Sequence, residues 1–127
     1  MKTALSVNLN KIALIRNSRD TKFPCVMAHA KTCIDAGCDG ITVHPRPDQR
    51  HIRPEDVFDL ATLLHKYPHI EYNIEGNPFA DALGSYPGFI SLVQQTLPHQ
   101  CTLVPDNNNQ LTSDHGFDLK VAGDKLT

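Results

Sequence analysis

The amino-acid sequence predicts an α/β fold, the N-terminal half of a (β/α)8 barrel, on three observations. Four short strand candidates alternate with helical stretches, and the last three of them begin 30 residues apart, at positions 40, 70 and 100. Within the strands, one alternate set of side chains is mostly apolar and the other is mostly polar. A sheet covered by helices on both faces would be apolar on both sets. A barrel instead carries polar strand ends on its inner face, and four strands make half of one.

The four strand candidates are short runs at 4–8, 40–44, 70–75 and 100–104. Between the first two strands, Pro24 is placed in the first turn of a helix that runs to Ala36. Gly37 follows as the C-terminal cap of that helix, because glycine adopts the left-handed conformation that ends helices. Residues 1–127 are therefore expected to form one partial barrel of about four β/α units, with no second domain.

Two further helices are predicted after the second and third strands. Pro54 opens the first of them, and its apolar side chains recur at the spacing i, i+3, i+4, i+7 that places them on one face: Val57, Leu60, Ala61 and Leu64. The second covers 88–97 and is bounded by Pro87 and Pro98. Strands and helices in this alternation favour a parallel sheet with right-handed crossovers.

Composition excludes several classes of partner. The chain has 40% hydrophobic and 20% charged residues, as soluble globular proteins do, and its formal net charge of −2 gives no field that would attract nucleic acid or an anionic membrane. No apolar run approaches the roughly 20 residues of a membrane span, and the N-terminus turns polar too early for a secretory signal. The four cysteines form no C-x-x-C pair, which favours reduced thiols in a cytoplasmic protein.

The segment 40–51 is the strongest functional signal. A β-branched run ends in His44, and two prolines then stiffen a loop that carries Arg46, Asp48, Arg50 and His51. Ligands of α/β proteins bind at the carboxyl ends of the strands, and the planar arginine fork suits phosphate. The pattern indicates an acid/base group beside an anion clamp. His44, Asp48 and His51 could also ligate a metal, but the adjacent arginines would repel a cation, so no metal is expected.

Glu75 ends the third strand and precedes a sharp turn at Gly76. On the predicted sheet it neighbours His44 across adjacent strands, so the two could form a general acid/base pair. Other polar residues near strand ends could contact a substrate, although solvated loops and helix ends would explain them nearly as well: Asn8, Asn10, Lys11, Arg16, Arg19 and Thr112. Arg16 and Arg19, three residues apart, could face one anion.

Five segments, 7–13, 16–19, 40–52, 73–76 and 103–105, together resemble the pyridoxine 5'-phosphate synthase family. The resemblance implies a (β/α)8 barrel roughly twice this length. It further implies condensation of 3-amino-2-oxopropyl phosphate with 1-deoxy-D-xylulose 5-phosphate to pyridoxine 5'-phosphate, in vitamin B6 biosynthesis. The family requires no metal or organic cofactor.

The same resemblance implies roles for individual residues. His44 and Glu75 match the family's acid/base residues, which move protons during imine formation, dehydration and ring closure. Asn8 and Arg19 match ligands of the aminoketone phosphate.

Ligands of the deoxyxylulose phosphate are matched by Arg46, His51 and Thr112. Asn10 and Lys11 depart from the Asp-His pair common in this motif and are carried over as substrate contacts only. The family's third catalytic histidine and its glycine-rich phosphate sites belong to the second half of the barrel, so residues 1–127 alone are expected to be inactive.

Two alternatives remain open at this point. One is a non-catalytic half-barrel that assembles with a partner chain. The other is an unrelated α/β domain that binds a phosphorylated ligand, in which His44 and Glu75 would lie too far apart to share a substrate. For the complete enzyme we expect small phosphorylated substrates, a homo-oligomer, a cytoplasmic location, and no nucleic-acid or membrane partner.

Overall fold

A computed structural model describes residues 1–127 as four strands and five helices. None of the helices combines the length and apolar character needed to cross a membrane. In chain order the elements are β1 (Ser6–Asn8), α1 (Asn10–Asn17), α2 (Val26–Asp35), β2 (Gly40–Val43), α3 (Pro54–Leu64), β3 (Glu71–Gly76), α4 (Phe89–Thr96), β4 (Gln100–Leu103) and α5 (Leu119–Leu126).

The four strands form one parallel sheet in the order β1-β2-β3-β4. Ile41 in β2 pairs with Val7 in β1 and with Tyr72 in β3, and Ile74 pairs with Cys101 in β4. Each strand therefore lies beside its neighbour in the sequence, as in a (β/α)8 barrel, whereas a doubly wound sheet reverses its order partway. The predicted α/β half-barrel arrangement is confirmed.

The apolar set of side chains is buried on the two central strands. Ile41, Val43, Tyr72 and Ile74 are at most 2% exposed and belong to one core cluster with residues of the covering helices. Tyr72 also donates its hydroxyl to the carbonyl oxygen of Val57 in α3, at 2.9 Å. The outer strands differ from the prediction.

Leu5, just before β1, is 61% exposed and Leu103 in β4 is 39% exposed, although both belong to the apolar set. A helix that covers a parallel sheet packs over neighbouring strands, and β1 and β4 each have a neighbour on one side only. Burial of the apolar set is thus confined to β2 and β3.

The opposite face of the sheet carries a row of hydrogen-bonded polar side chains, one from each strand. The hydroxyl oxygens of Ser6 and Thr42 are 2.7 Å apart. The Asn73 amide donates to Thr42 Oγ1 at 3.4 Å and accepts from the Thr102 hydroxyl at 3.0 Å. Because these groups satisfy one another, the next polar residues on the same face of β1, β2 and β3 are left to form a site: Asn8, His44 and Glu75.

Helix α2 ends as predicted but begins later. Gly37 has φ +93°, the Cys38 N–H donates to the Cys33 carbonyl at 3.1 Å, and the Gly37 N–H donates to the Ile34 carbonyl at 2.9 Å. These are the two bonds of a Schellman motif. Pro24 lies outside the helix, which begins at Val26 after an extended residue, so its predicted place in the first turn is wrong.

Helices α1 and α5 were not predicted. Each has eight residues, too few to show a recognisable stripe of apolar side chains. A polar side chain just before each helix accepts a hydrogen bond from its first turn. Asn8 Oδ1 accepts from the Asn10 N–H at 2.8 Å, and Asp118 accepts from the Lys120 N–H at 3.0 Å. Helix α3 begins at Pro54 as predicted, and α4 is one residue shorter at each end than the predicted 88–97.

Candidate active site

The carboxyl ends of β1, β2 and β3 and the loop after β4 enclose a cleft of about 770 Å³. Eight of the nine predicted site residues line it: Asn8, Asn10, Lys11, His44, Arg46, His51, Glu75 and Thr112. Arg50, Ser113 and three apolar residues complete the lining. Arg19 is exposed just beyond α1 and does not line the cleft, so its predicted role stays a prediction.

His44 and Glu75 face each other across adjacent strands. The register pairs Thr42 with Asn73, and the next residues on the same face are His44 and Glu75. Their Nδ1 and Oε2 atoms are 3.9 Å apart. The distance contradicts the alternative of an unrelated domain in which the two side chains could not share a substrate.

Gly76 fixes the end of β3 that carries Glu75. A Cβ atom at this position would lie 2.3 Å from the Phe89 ring, closer than any real Cβ contact. Only glycine therefore allows the first residue of α4 to pack against the strand end. Phe89 is fully buried against this strand end.

Two asparagines organise the end of β1. Asn8 Nδ2 donates to Glu75 Oε2 at 3.5 Å, while its Oδ1 accepts from the N–H that begins α1. Asn10 Oδ1 accepts from the backbone N–H of His44 at 2.9 Å. A neutral amide meets this demand as well as a carboxylate would, so the Asn10 side chain positions the His44 backbone as well as lining the cleft.

The two arginines of the segment 40–51 hold the loop after β4. Arg46 donates from Nη1 to the Gln110 carbonyl and from Nη2 to the Asn107 carbonyl, each at 3.0 Å, and Arg50 Nη1 donates to the same Gln110 oxygen at 2.6 Å. A phosphate on these arginines would have to compete with the carbonyls of 107–111. Both arginines lie beside the cleft, and their predicted role as an anion clamp stays a prediction.

His51 is neutral over the physiological pH range. Burial first, and then the positive charges around it at His44, Arg46 and Arg50, lower its pKa to about 4. Its Nδ1 accepts from the Ile52 N–H at 2.9 Å, which places the ring proton on Nε2. His51 can therefore donate one hydrogen bond to a ligand without adding charge.

Arg16 does not act with Arg19 on an anion, and that hypothesis is wrong. Arg16 is buried and forms two bonds with Asp56 of α3, Nη1 to Oδ1 at 2.5 Å and Nη2 to Oδ2 at 2.9 Å. Arg16 Nη2 and Asn17 Nδ2 also donate to the carbonyl of His51, at 3.3 and 2.7 Å. The end of α1 thus fixes the backbone beneath the cleft.

Asp48 is not arranged as a metal ligand with His44 and His51. Its Oδ2 is 2.7 Å from Arg50 Nη2, which offsets its charge. No three side chains among the histidines, cysteines, aspartates and glutamates converge as a metal-binding group.

Sequence analysis missed Asp106. Its Oδ2 lies 2.9 Å from His44 Nε2 and 3.0 Å from Arg46 Nε, and the side chain is 7% exposed. Asp106 lies in a loop with three asparagines, where no periodicity marks one polar residue above the others. Its place shortly after β4, at the edge where the other strand ends meet, is the only signal that could have found it.

The chain is similar to a known protein family over nearly its whole length. The family model described as pyridoxal phosphate biosynthesis protein PdxJ matches residues 5–127. Pyridoxine 5'-phosphate synthase of Xanthomonas campestris pv. campestris (strain B100) is 56% identical over 126 residues, which cover 99% of this chain and 49% of the relative.

Two further proteins of the same name give similar figures. That of Xanthomonas axonopodis pv. citri is 59% identical over 119 residues, 94% of this chain and 46% of its own. That of Xylella fastidiosa (strain M12) is 56% identical over 125 residues, which cover 98% of this chain and 48% of the relative. The chain spans about half the length of the curated relatives it matches. From the family match over nearly all of its residues, the chain belongs to the pyridoxal phosphate biosynthesis protein PdxJ family.

Proposed function

We propose that residues 1–127 supply one half of the active site of a pyridoxine 5'-phosphate synthase. The reaction condenses 3-amino-2-oxopropyl phosphate with 1-deoxy-D-xylulose 5-phosphate and releases inorganic phosphate and water. The observation that carries the proposal is the 3.9 Å separation of His44 Nδ1 and Glu75 Oε2 inside a cleft lined by cationic residues.

The acid/base pair suits the chemistry of this condensation. Imine formation, dehydration and ring closure each move protons between oxygen, nitrogen and carbon atoms. A histidine and a carboxylate within reach of one reacting atom can take and return such protons in turn. His44 is 5% exposed, so a proton that it holds is kept from bulk water, while the Glu75 side chain is more exposed, at 27%.

The remaining lining residues suit two phosphorylated substrates. Lys11, Arg46 and Arg50 bring cationic groups to the cleft, and the neutral His51 and Thr112 add uncharged hydrogen-bonding groups. Phosphate prefers such a mixture, because charge attracts it and directed donors fix its orientation. Asn8, Arg46, His51 and Thr112 are proposed as substrate ligands on this basis, and Arg19 on the resemblance alone.

A chimera tests the proposal. Residues 1–127 replace the matching half of the Xanthomonas campestris synthase, and the product is assayed with both substrates present. We expect the folded chimera to form pyridoxine 5'-phosphate. The intact relative is the positive control, and the His44→Asn chimera is the negative one. A folded chimera that makes no product under conditions where the relative does would contradict the proposal.

A further inference from the structure

His44 meets a second carboxylate on the ring nitrogen that faces away from Glu75. Asp106 Oδ2 lies 2.9 Å from His44 Nε2 and 3.0 Å from Arg46 Nε. All three side chains are at most 7% exposed, so water competes little for these contacts. The histidine is thus held between a buried carboxylate and one at the cleft.

The sheet fixes the position of the Asp106 carboxylate. The Val104 N–H donates to the Gly76 carbonyl at 2.9 Å, which continues the pairing of β3 and β4 past the last residue of β4. Asn77 Nδ2 then donates to the Asp106 carbonyl oxygen at 2.8 Å. Both bonds tie the segment 104–106 to the residues that follow Glu75, so Asp106 and Glu75 belong to one hydrogen-bonded edge of the sheet.

The environment keeps Asp106 ionised. Burial by itself would raise the pKa of its carboxyl group, but the hydrogen bonds and charges of His44 and Arg46 outweigh burial and lower the pKa. An ionised carboxylate has only acceptor atoms. The His44 nitrogen that faces it must therefore carry a proton.

We propose that Asp106 is a positioning residue that keeps the proton of neutral His44 on Nε2 and leaves the lone pair of Nδ1 directed toward Glu75 and the cleft. The proposal deepens the proposed function and rests on it for its effect on turnover. A proton taken from the substrate then forms a bond to Nδ1, and the imidazolium keeps its Nε2–H bond to Asp106. When Nδ1 returns the proton, the starting tautomer is restored. An aspartate that orients a histidine in this way is a general device of acid/base sites.

Asp106 also contacts Arg46, which holds the loop 107–111. The experiment must therefore distinguish control of the His44 tautomer from support of this loop. The imidazole ¹⁵N resonances of His44 separate them, since they report which ring nitrogen is protonated. Residues 1–127 are labelled with ¹⁵N-histidine, and His44 is identified by the signal that is lost in His44→Gln. Solid-state spectra of sedimented protein give the tautomer in any oligomeric state.

At alkaline pH we expect a single tautomer with a protonated Nε2 and an unprotonated Nδ1. Asp106→Leu removes the acceptor and should give a mixture of tautomers. Asp106→Asn should keep the tautomer, because both bonds fall on one oxygen, Oδ2, which an amide oxygen can replace. Arg46→Gln is the matched control. It releases the loop 107–111 but leaves Asp106 in place, so the tautomer should be unchanged.

An Nδ1-protonated or mixed tautomer in the parent chain would overturn the proposal, whether or not Asp106→Leu folds. It would equally be overturned if Arg46→Gln changed the tautomer in the same way as Asp106→Leu. These spectra need no turnover, so they decide the role of Asp106 at His44 even if the chimera shows that the proposed function is wrong.

The active chimera gives the second readout. Asp106→Asn keeps an oxygen facing His44 and Arg46 but removes the charge that stabilises the imidazolium. We expect kcat to fall about 10- to 100-fold, less than the roughly 10²- to 10⁴-fold span of a whole acid/base group. KM for either substrate should change less than kcat. Parental kcat in Asp106→Asn, or a change confined to KM, would overturn the proposed effect on catalysis.

Discussion

Arg16 and Asp56 form a buried ion pair that joins α1 to the first turn of α3 and lies directly beneath His51. Two parallel bonds of 2.5 and 2.9 Å connect the side chains. Asp56 Oδ2 also accepts from the N–H of Arg53 at 2.8 Å, which satisfies a free donor at the start of α3. The Asp56 carboxylate therefore caps the start of α3 and also holds Arg16, whose Nη2 donates to the His51 carbonyl at 3.3 Å.

Breaking this pair should destabilise the fold strongly. Asp56→Ala leaves the Arg16 guanidinium buried without its partner, and a loss on the order of 3–5 kcal/mol is expected in the free energy of unfolding. Urea denaturation measures it. Glu55→Ala, one residue earlier and 69% exposed, is the control and should change stability little. The double variant Arg16→Met/Asp56→Leu removes both charges. If it is as unstable as Asp56→Ala, the uncompensated charge of Arg16 is not the cause of the lost stability.

Loss of either member of the acid/base pair should slow catalysis more than it weakens binding. In the active chimera, His44→Asn and Glu75→Gln are each expected to lower kcat by a factor on the order of 10² to 10⁴. Glu75→Gln keeps the side-chain shape and His44→Asn keeps a polar group, so KM should change less. Steady-state kinetics of product formation measure both constants. Parental turnover in one of the variants would remove that residue from the mechanism.

Arg46→Lys tests the fork geometry, because lysine keeps the charge but cannot donate two parallel bonds. We expect binding of 1-deoxy-D-xylulose 5-phosphate to weaken by about 10-fold or more. Calorimetric titration of the chimera measures the affinity. The same titration with 1-deoxy-D-xylulose, which lacks the phosphate, should be affected far less. Unchanged affinity for the phosphorylated sugar would show that Arg46 is not a fork-type ligand.

His51 should make stability depend on pH in a defined window. Its folded-state pKa of about 4 lies below the ordinary value of 6.5, so the unfolded chain binds more protons between these values. The stabilisation is complete above pH 6.5 and is lost as the pH falls toward 4, by on the order of 3 kcal/mol.

Denaturation of His51→Gln and of the parent chain across this window measures the effect. His51→Gln should lose the His51 contribution to the slope, whereas a variant at the exposed His65 should keep it. Equal slopes in His51→Gln and the parent chain would contradict the lowered pKa.

The sequence predicts best where periodicity and strand parity determine the structure. The order of the strands, the two buried central strands and the meeting of His44 with Glu75 all follow from the alternation of apolar and polar residues. Gly37 and Pro54 add helix boundaries, because their backbone preferences are local properties.

The features that the sequence could not predict depend on contacts between residues far apart in the chain. Arg16 is one of several basic residues in the sequence, and its burial becomes evident only when Asp56 lies 2.5 Å away. Asp106 likewise gains its importance from His44 and Arg46, which precede it by about 60 residues. Helix α5, which buries no side chain, has neither a strong local pattern nor a packing partner that would specify it.

The last prediction concerns residues 1–127 by themselves. Within this half-barrel, β1 and β4 each pair with one neighbour, so each presents a row of unpaired backbone groups. Such edges template association with another chain. The side chains of β4 are exposed throughout, which adds apolar area from Leu103 to that edge. We therefore expect dimers or larger oligomers in sedimentation, with secondary structure retained because the core of β2, β3 and their helices is intact.

Catalysis makes a stricter demand than folding, because two substrates must be held in register. Positioning can account for roughly 7–11 kcal/mol of a barrier, and a cleft walled by four strands lacks the opposite wall of a barrel. Residues 1–127 alone should therefore show almost no turnover. Adding the unmatched half of the Xanthomonas campestris synthase as a separate chain should restore part of it, since the edges of β1 and β4 are free to pair. The matched control is the same mixture with His44→Asn. A monomeric preparation of 1–127 that makes product unaided would contradict both the expected association and the need for a second half of the site.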